Sequence, residues 1–325
     1  MIIEVLLILF SLPVGLQNLW FSGQNRFLKS PERGKIATAV KIGSIGIFSL
    51  AGVEVLRKYC EVATTKHQIN QEKIWLNNED GLTPCDIEEL KNVLWQRKIT
   101  DTILSVGSNS IDVASFTTLV NERYLDNFII NCVILRYVQE QAKLQGHTQV
   151  IYLPSEAFTW LQSGDDVFIC DHIKEAIIES QVNSPVQFLM VPVHMDGCHW
   201  GLVGVDFING SLLFDDGMKL QPRKTLLSDV QRLLDLTQSL CPKDMNLASK
   251  FWVRKHNFER FGMQFKSTGT SQGSGSCGVG VILAARDLMQ NPHLTEFNWN
   301  FNDMRRLRKN ICLKIIRWGN EVVAL

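Results

Sequence analysis

The sequence predicts an α+β domain in which a central mixed sheet is flanked by helices, carried behind an apolar helical N-terminal extension. Three observations lead there. Residues 186–214 read as successive strands joined by tight-turn dipeptides. Helical segments with broad apolar faces precede and follow them. The chain has 325 residues, 45% of them hydrophobic and 20% charged, which supplies the core of one large or two small domains.

Residues 1–66 form the apolar extension. The first fifteen (MIIEVLLILFSLPVG) are short for a bilayer span. They carry Glu4 where a secretory signal has Lys or Arg, and no small-residue cleavage site follows. A second apolar stretch, 36–56, is interrupted by Lys41 and Glu54 and flanked by Lys29, Arg33, Lys35, Arg57 and Lys58. It fits a weak, tilted membrane span and fits equally a buried or interfacial helix, so any membrane partner belongs to residues 1–56. Residues 67–100 read as a polar connector holding a short helix, capped by Asp86, with Ile87, Leu90, Val93 and Leu94 as its apolar stripe.

The second domain spans 101–325. Residues 116–144 read as one helix with Leu125, Phe128, Ile129, Cys132, Val133 and Leu135 on its apolar face. A strand over 186–194 leads to the turn Asp196-Gly197, and a second strand over 199–207 to the turn Asn209-Gly210 and a third strand over 211–214. A helix is expected at 223–239 and a strand near 254–265. The Gly/Ser-rich loop 267–276 then opens a helix at or just after Cys277. A last helix, 302–318, is basic through Arg305, Arg306, Arg308, Lys309, Lys314 and Arg317, which reads as a solvated face.

Charge and cysteine usage narrow the class. Lys plus Arg and Asp plus Glu both number 33, so no net field favours a nucleic-acid partner. The eight cysteines contain no C-x-x-C pair, and a chain of this size needs no disulfide staples. A reducing, intracellular setting, nucleus or cytoplasm, is the expectation, with one thiol singled out by its context.

That thiol is Cys277. A cysteine where a glycine-rich loop meets a helix start faces free N–H groups and the positive end of the helix dipole. Both favour thiolate, the reactive species, and the same N–H groups can hold a developing oxyanion. Gly273, Gly275 and Gly278 let a substrate backbone approach. The partner base should be a histidine. His199 opens a strand directly after a turn, and Trp200 beside it can cover the site. An acid should orient the imidazole. Asp215, at the end of the adjoining strand, is the first candidate, and Asp216, on the opposite face, the second; the hairpin register decides between them.

The residues carry a resemblance. Only His293 follows Cys277, which leaves too little chain for a papain-type order. The order His199, Asp215, Cys277 resembles the ubiquitin-like-protein-specific cysteine proteases, the SUMO-protease and adenain-like group, over about residues 110–290. Tyr124-Leu125-Asp126-Asn127 is similar to the group's helix-start motif, with Tyr124 standing for its tryptophan. VPVHMDGCHWGLVGVDF, Phe214-Asp215-Asp216, and Gln272 with Ser276-Cys277-Gly278 match its His-Trp strand, its aspartate and its cysteine box, with serine in place of the aspartate before cysteine. The resemblance implies a papain-like cysteine protease architecture and peptidase activity through a thioester on Cys277, with no cofactor. It implies that Gln272 donates to the oxyanion. Trp200, Tyr124, Asp126 and Gly278 would meet the diglycine tail of a ubiquitin-like modifier, SUMO-like before others.

Other classes compete. His194, Cys198 and His199 with Asp215 and Asp216 nearby are zinc-type ligands, but their spacing fits no familiar site. The same fold could serve as an inactive module that binds a ubiquitin-like protein, or as an interaction domain on a membrane tether. The complete Cys/His/Asp set favours the peptidase.

Overall fold

The computed structural model describes residues 72–76, 82–120, 123–144, 149–181, 186–195, 199–207, 209–217, 222–241, 276–291 and 303–323. The two apolar segments of 1–66, the strand expected at 254–265 and the loop 267–275 lie outside the described residues.

Helix α1 (Pro84–Gln96) begins at a capping box. Its cap is Thr83 rather than Asp86: the Asp86 N–H donates to Thr83 Oγ1 (3.2 Å), and the Thr83 N–H donates back to the Asp86 carboxylate (2.9 Å). Leu90 and Val93 from the expected stripe are buried. Two short antiparallel strands follow, β1 (Thr102–Val106) and β2 (Asn109–Asp112), then the single turn α2 (Val113–Phe116). The long helix expected from 116 divides here. Asp126 takes an extended conformation, and its carboxylate accepts the Ile129 N–H (2.9 Å), so α3 runs only over Asn127–Ala142.

The main sheet has the order β3 (Val150–Tyr152), β4 (Phe188–Met195), β5 (His199–Asp206), β6 (Ser211–Asp215). β3 and β4 are parallel, because α4 (Ala157–Ser163) and α5 (Asp166–Glu179) intervene between them; the remaining pairs are antiparallel, as hairpins must be. Helices α6 (Leu226–Leu240), α7 (Ser276–Gln290) and α8 (Met304–Val323) complete the chain. The mixed, helix-flanked sheet is the one the sequence predicts.

Alternation along the strands feeds two cores. Phe188, Met190, Trp200 and Leu202 join α3, α7 and α8 on one face. Leu189, Val191, Val203, Val205 and Phe214 join α4, α5 and α6 on the other. β5 is buried along its whole length, which accounts for its nearly continuous apolar run.

The basic last helix departs from expectation at two positions. Arg308 and Lys309 are fully buried. Arg308 donates to the carbonyls of Thr118 and Leu119 (both 3.2 Å) and Arg123 (2.8 Å), and the Lys309 ammonium sits over the Trp75 ring at 5.1 Å. Arg317 pairs with Asp86 of α1 (2.6 Å). Arg308 and Lys309 thus turn inward, whereas Arg305, Arg306, Lys314 and Arg317 lie on the exposed face that the sequence predicts. Among the described residues, no helix is long and apolar enough to cross a membrane.

Candidate active site

The sheet brings His199 to the start of β5, and α7 brings Cys277 to its own first turn; α7 packs along β5, so the two residues meet. Both are buried, at 9% and 7% exposure. His199 Nε2 donates to the Asp216 carbonyl oxygen (2.9 Å), and the Asp216 carboxylate stands 3.6 Å from the same nitrogen. That leaves Nδ1 for the thiol, and His199 and Cys277 are hydrogen-bonded side chain to side chain.

The electrostatics follow from this pairing. Burial alone would pull the imidazolium down; the Asp216 carboxylate and the Cys277 sulfur override it and push His199 up to about 10. Burial likewise opposes the thiolate of Cys277, but the hydrogen bond from His199 and the backbone N–H groups of Trp200 and Gly278 hold the thiol below its ordinary value. The arrangement favours a thiolate–imidazolium pair at neutral pH.

The acid requires a correction. Asp215 does not face His199. The β5–β6 register pairs Leu202 with Asp215. One step further sets position 216 opposite Gly201, and Gly201 shares a face with His199 because side chains alternate. Asp216 therefore meets the imidazole. Asp215 points the other way and its Oδ1 accepts the Gly217 N–H (2.8 Å), closing the turn after β6.

A cleft of about 300 Å³ has Trp200, the residue after His199, in its lining. Trp200, His194, Leu125, Asp126 and Asn127 line it together with Ser155, Glu156 and Thr159. The Trp200 indole is fixed from two sides: its N–H donates to the Leu125 carbonyl (3.0 Å), and the His194 ring, its cross-strand partner, stacks at 4.4 Å. Gly278 is where α7 touches Leu125; a Cβ there would lie 3.0 Å from the Leu125 Cβ, so a side chain would press on the cleft wall. Of the expected substrate contacts, Trp200 and Asp126 line the cleft and Gly278 packs behind it, whereas Tyr124 stands 53% exposed and outside the lining. Gln272, Gly273, Gly275 and Cys198 lie outside the described residues. Among those described, no group of three His, Cys, Asp or Glu side chains forms a metal-type cluster.

Sequence reasoning missed the cleft floor. Asn131, fully buried in α3, donates to Glu156 Oε2 (2.8 Å) and accepts from the Tyr152 hydroxyl (2.8 Å) and the Ser155 N–H (3.2 Å). Asn127 donates to the other carboxylate oxygen, and the Ser155 hydroxyl to Oε2 (3.1 Å). The signal was an asparagine inside the apolar run FIINCVIL, since a buried amide demands partners.

Residues 155–319 match the Ulp1 protease family, C-terminal catalytic domain. No curated protein matches the chain in sequence. Solved structures match in fold. The C-terminal Ulp1 protease domain in complex with Smt3, the yeast orthologue of SUMO, has a TM-score of 0.54 at 16% identity, over 73% of this chain and 96% of that one. SUMO protease Ulp1 with its catalytic cysteine oxidised to a sulfenic acid gives 0.53 at 16%, over 73% and 95%. The Ulp1-like SUMO protease catalytic domain of Chaetomium thermophilum gives 0.52 at 12%, over 73% and 90%. With the family match covering half of its length and the cysteine and histidine at its core, the chain belongs to the Ulp1 protease family and is a cysteine peptidase.

Proposed function

We propose that this peptidase hydrolyses the peptide or isopeptide bond after the C-terminal diglycine of a ubiquitin-like modifier, SUMO-like before others. The observation that carries the reading is the buried Cys277–His199–Asp216 alignment, with Trp200 next to His199 in β5. The names of the solved neighbours, SUMO proteases, support the substrate class.

The Cys277 thiolate attacks the carbonyl carbon of the terminal glycine. The oxyanion is held by the backbone N–H groups at the start of α7, with the Gln272 side chain as a further donor. His199, protonated by the thiol, gives that proton to the leaving amine, and a thioester to Cys277 remains. His199, now neutral, takes a proton from water, whose hydroxide adds to the thioester; the thiolate leaves and the modifier's free carboxylate is released. The Asp216 carboxylate stabilises the imidazolium. Trp200, pinned by Leu125 and His194, is the wall past which the diglycine would run.

Covalent capture tests this. Ubiquitin, SUMO and NEDD8, each ending in a thiol-reactive warhead, are incubated with the full chain and with Cys277→Ala. An adduct with the SUMO probe that vanishes in the variant is expected. Adducts persisting in the variant, or fast alkylation of Cys277 with no adduct to any probe, would remove the reading.

A further inference from the structure

Glu156 stands where a side chain would cap α4, yet it makes no cap hydrogen bond. Its carboxylate turns to α3 instead. Asn127 Nδ2 donates to Oε1; Asn131 Nδ2 (2.8 Å) and the Ser155 hydroxyl (3.1 Å) donate to Oε2. The Asn131 amide has one orientation, because its oxygen accepts from the Tyr152 hydroxyl (2.8 Å) and the Ser155 N–H (3.2 Å). Asn131 and Tyr152 are buried, so the carboxylate is anchored in the core on one side. On the other side it grips the first turn of α3 through Asn127.

Leu125, just before that turn, touches the neighbours of both reacting residues. Its carbonyl accepts the Trp200 indole N–H (3.0 Å), and Trp200 follows His199 in β5. Its side chain rests on Gly278, which follows Cys277 in α7: a Cβ at Gly278 would lie 3.0 Å from Leu125 Cβ and 3.1 Å from its Cγ and Cδ1. Trp200 and Gly278 are also the residues whose backbone N–H groups donate to the Cys277 sulfur. A hydrogen bond weakens steeply as its angle closes, so a shift of Leu125 that moves either backbone is felt at the thiolate.

We propose that Glu156 is a positioning residue for the nucleophile: by holding Asn127 and Asn131 it fixes Leu125, and through Leu125 the two backbone N–H groups that face Cys277. The inference rests on Cys277 as the nucleophile and is independent of which modifier is cleaved. Glu156 acts through place and not through charge. The titratable groups around the thiol are His199 of β5 and Asp216 after β6; His194 of β4, Asp126 before α3 and Glu156 itself line the cleft that Leu125 and Trp200 share. A negative charge on Glu156 by itself disfavours a thiolate. Removing the charge alone should therefore help the thiolate form, and removing the hold should hinder it.

The test is the pH dependence of Cys277 alkylation by iodoacetamide in the full chain, read by mass spectrometry of the Cys277 peptide, with melting temperatures alongside. Glu156→Ala removes the hold and the charge together. The rate at a pH below the thiolate limb should fall about tenfold, which is that limb moving up by about one pH unit. Asn127→Ala breaks only the arm nearest Leu125 and keeps the charge; it should move the limb the same way, and it serves where Glu156→Ala does not fold. Glu156→Gln should restore the rate to within about twofold of the unaltered chain. Its oxygen still accepts from Asn131 and Ser155, and its amide nitrogen can donate to Asn127 once that amide turns, since the Asn127 oxygen makes no hydrogen bond among the described residues. Tyr152→Phe takes a buried hydrogen bond from Asn131 but leaves Glu156 on Asn127; it should lower the melting temperature without moving the limb. A limb that stays in place or moves down in either alanine variant would overturn the proposal. So would a shift in Glu156→Gln as large as in Glu156→Ala, or a shift in Tyr152→Phe. If Cys277 of the unaltered chain reacts no faster than the exposed Cys85, the nucleophile is misassigned and the inference goes with it.

Discussion

Cys277 and His199 were legible in the sequence because each sits at an element boundary that chain punctuation marks: a glycine-rich loop before a helix, and a turn before a strand. The acid was not, because Asp215 and Asp216 differ by one residue, and a one-residue change of register exchanges the two faces of a strand. Only the pairing of Leu202 with Asp215 resolves it. The two aspartates should therefore separate in experiment. Asp216→Asn keeps the backbone carbonyl that holds Nε2 and removes the charge beside it. The sign follows from His199. Its pKa is raised to about 10 and that of Cys277 is lowered, so the ion pair forms as pH rises through the depressed thiol value and is lost only near 10. Without Asp216 the upper limb should move down toward the ordinary histidine value, and kcat/KM at pH 8 should fall by about ten- to a hundredfold. Asp215→Ala should leave the limbs where they are and lower stability by about 1–3 kcal/mol, because a buried Gly217 N–H loses its acceptor. pH–rate profiles and urea melts of both variants check this, and a shifted upper limb in the Asp215 variant would reverse the assignment.

Among the elements, those with a local signal matched: the β4–β5–β6 meander, the helix that carries Cys277 and the capped α1. The long helix from 116 was misread because periodicity continues through residues 117–126, while the Asp126 cap restarts the helix at Asn127. What holds that irregular stretch comes from far along the chain, where no local pattern reaches. Arg308 of α8 donates to the carbonyls of Thr118, Leu119 and Arg123, immediately before the Leu125–Asn127 wall of the cleft. One residue of a helix read as solvated thus anchors the segment that leads into the cleft wall. Arg308→Met preserves volume and apolar packing but frees three carbonyls. It should raise KM several-fold while the rate of Cys277 alkylation by a small reagent changes by less than about twofold, since the His199–Cys277 pair lies on other elements. An equal loss in both readouts would mean that the loop supports the nucleophile itself.

At the scale of the whole molecule, α8 is clasped from two sides. On one side it meets β1 so closely that a Cβ at Gly319 would lie 1.9 Å from the Ile103 carbonyl oxygen. On the other it meets α1, which buries Leu90 and Val93 and whose Asp86 and Glu89 hold Arg317 at 2.6 and 3.4 Å. The polar composition of 67–100 concealed this, because only a few residues of that segment face inward, and what they face lies more than two hundred residues away. A boundary drawn at residue 101 would therefore cut into a packed layer. The Arg317 ion pairs are half-exposed and contribute little. Leu90 and Val93 bring about 1.5–3 kcal/mol each, which for a domain of this size is about 3–12 °C in Tm per side chain. A chain lacking residues 1–100 should accordingly melt at least roughly 10 °C below one lacking 1–69. Both should still be alkylated at Cys277 well below their transitions, because α7 packs chiefly with β5 and α3, and α1 packs with α8. Coincident melting curves would show that the segment is dispensable to the fold. Loss of Cys277 reactivity at low temperature in the shorter chain would show that the layer formed by α1 and α8 reaches the active site itself.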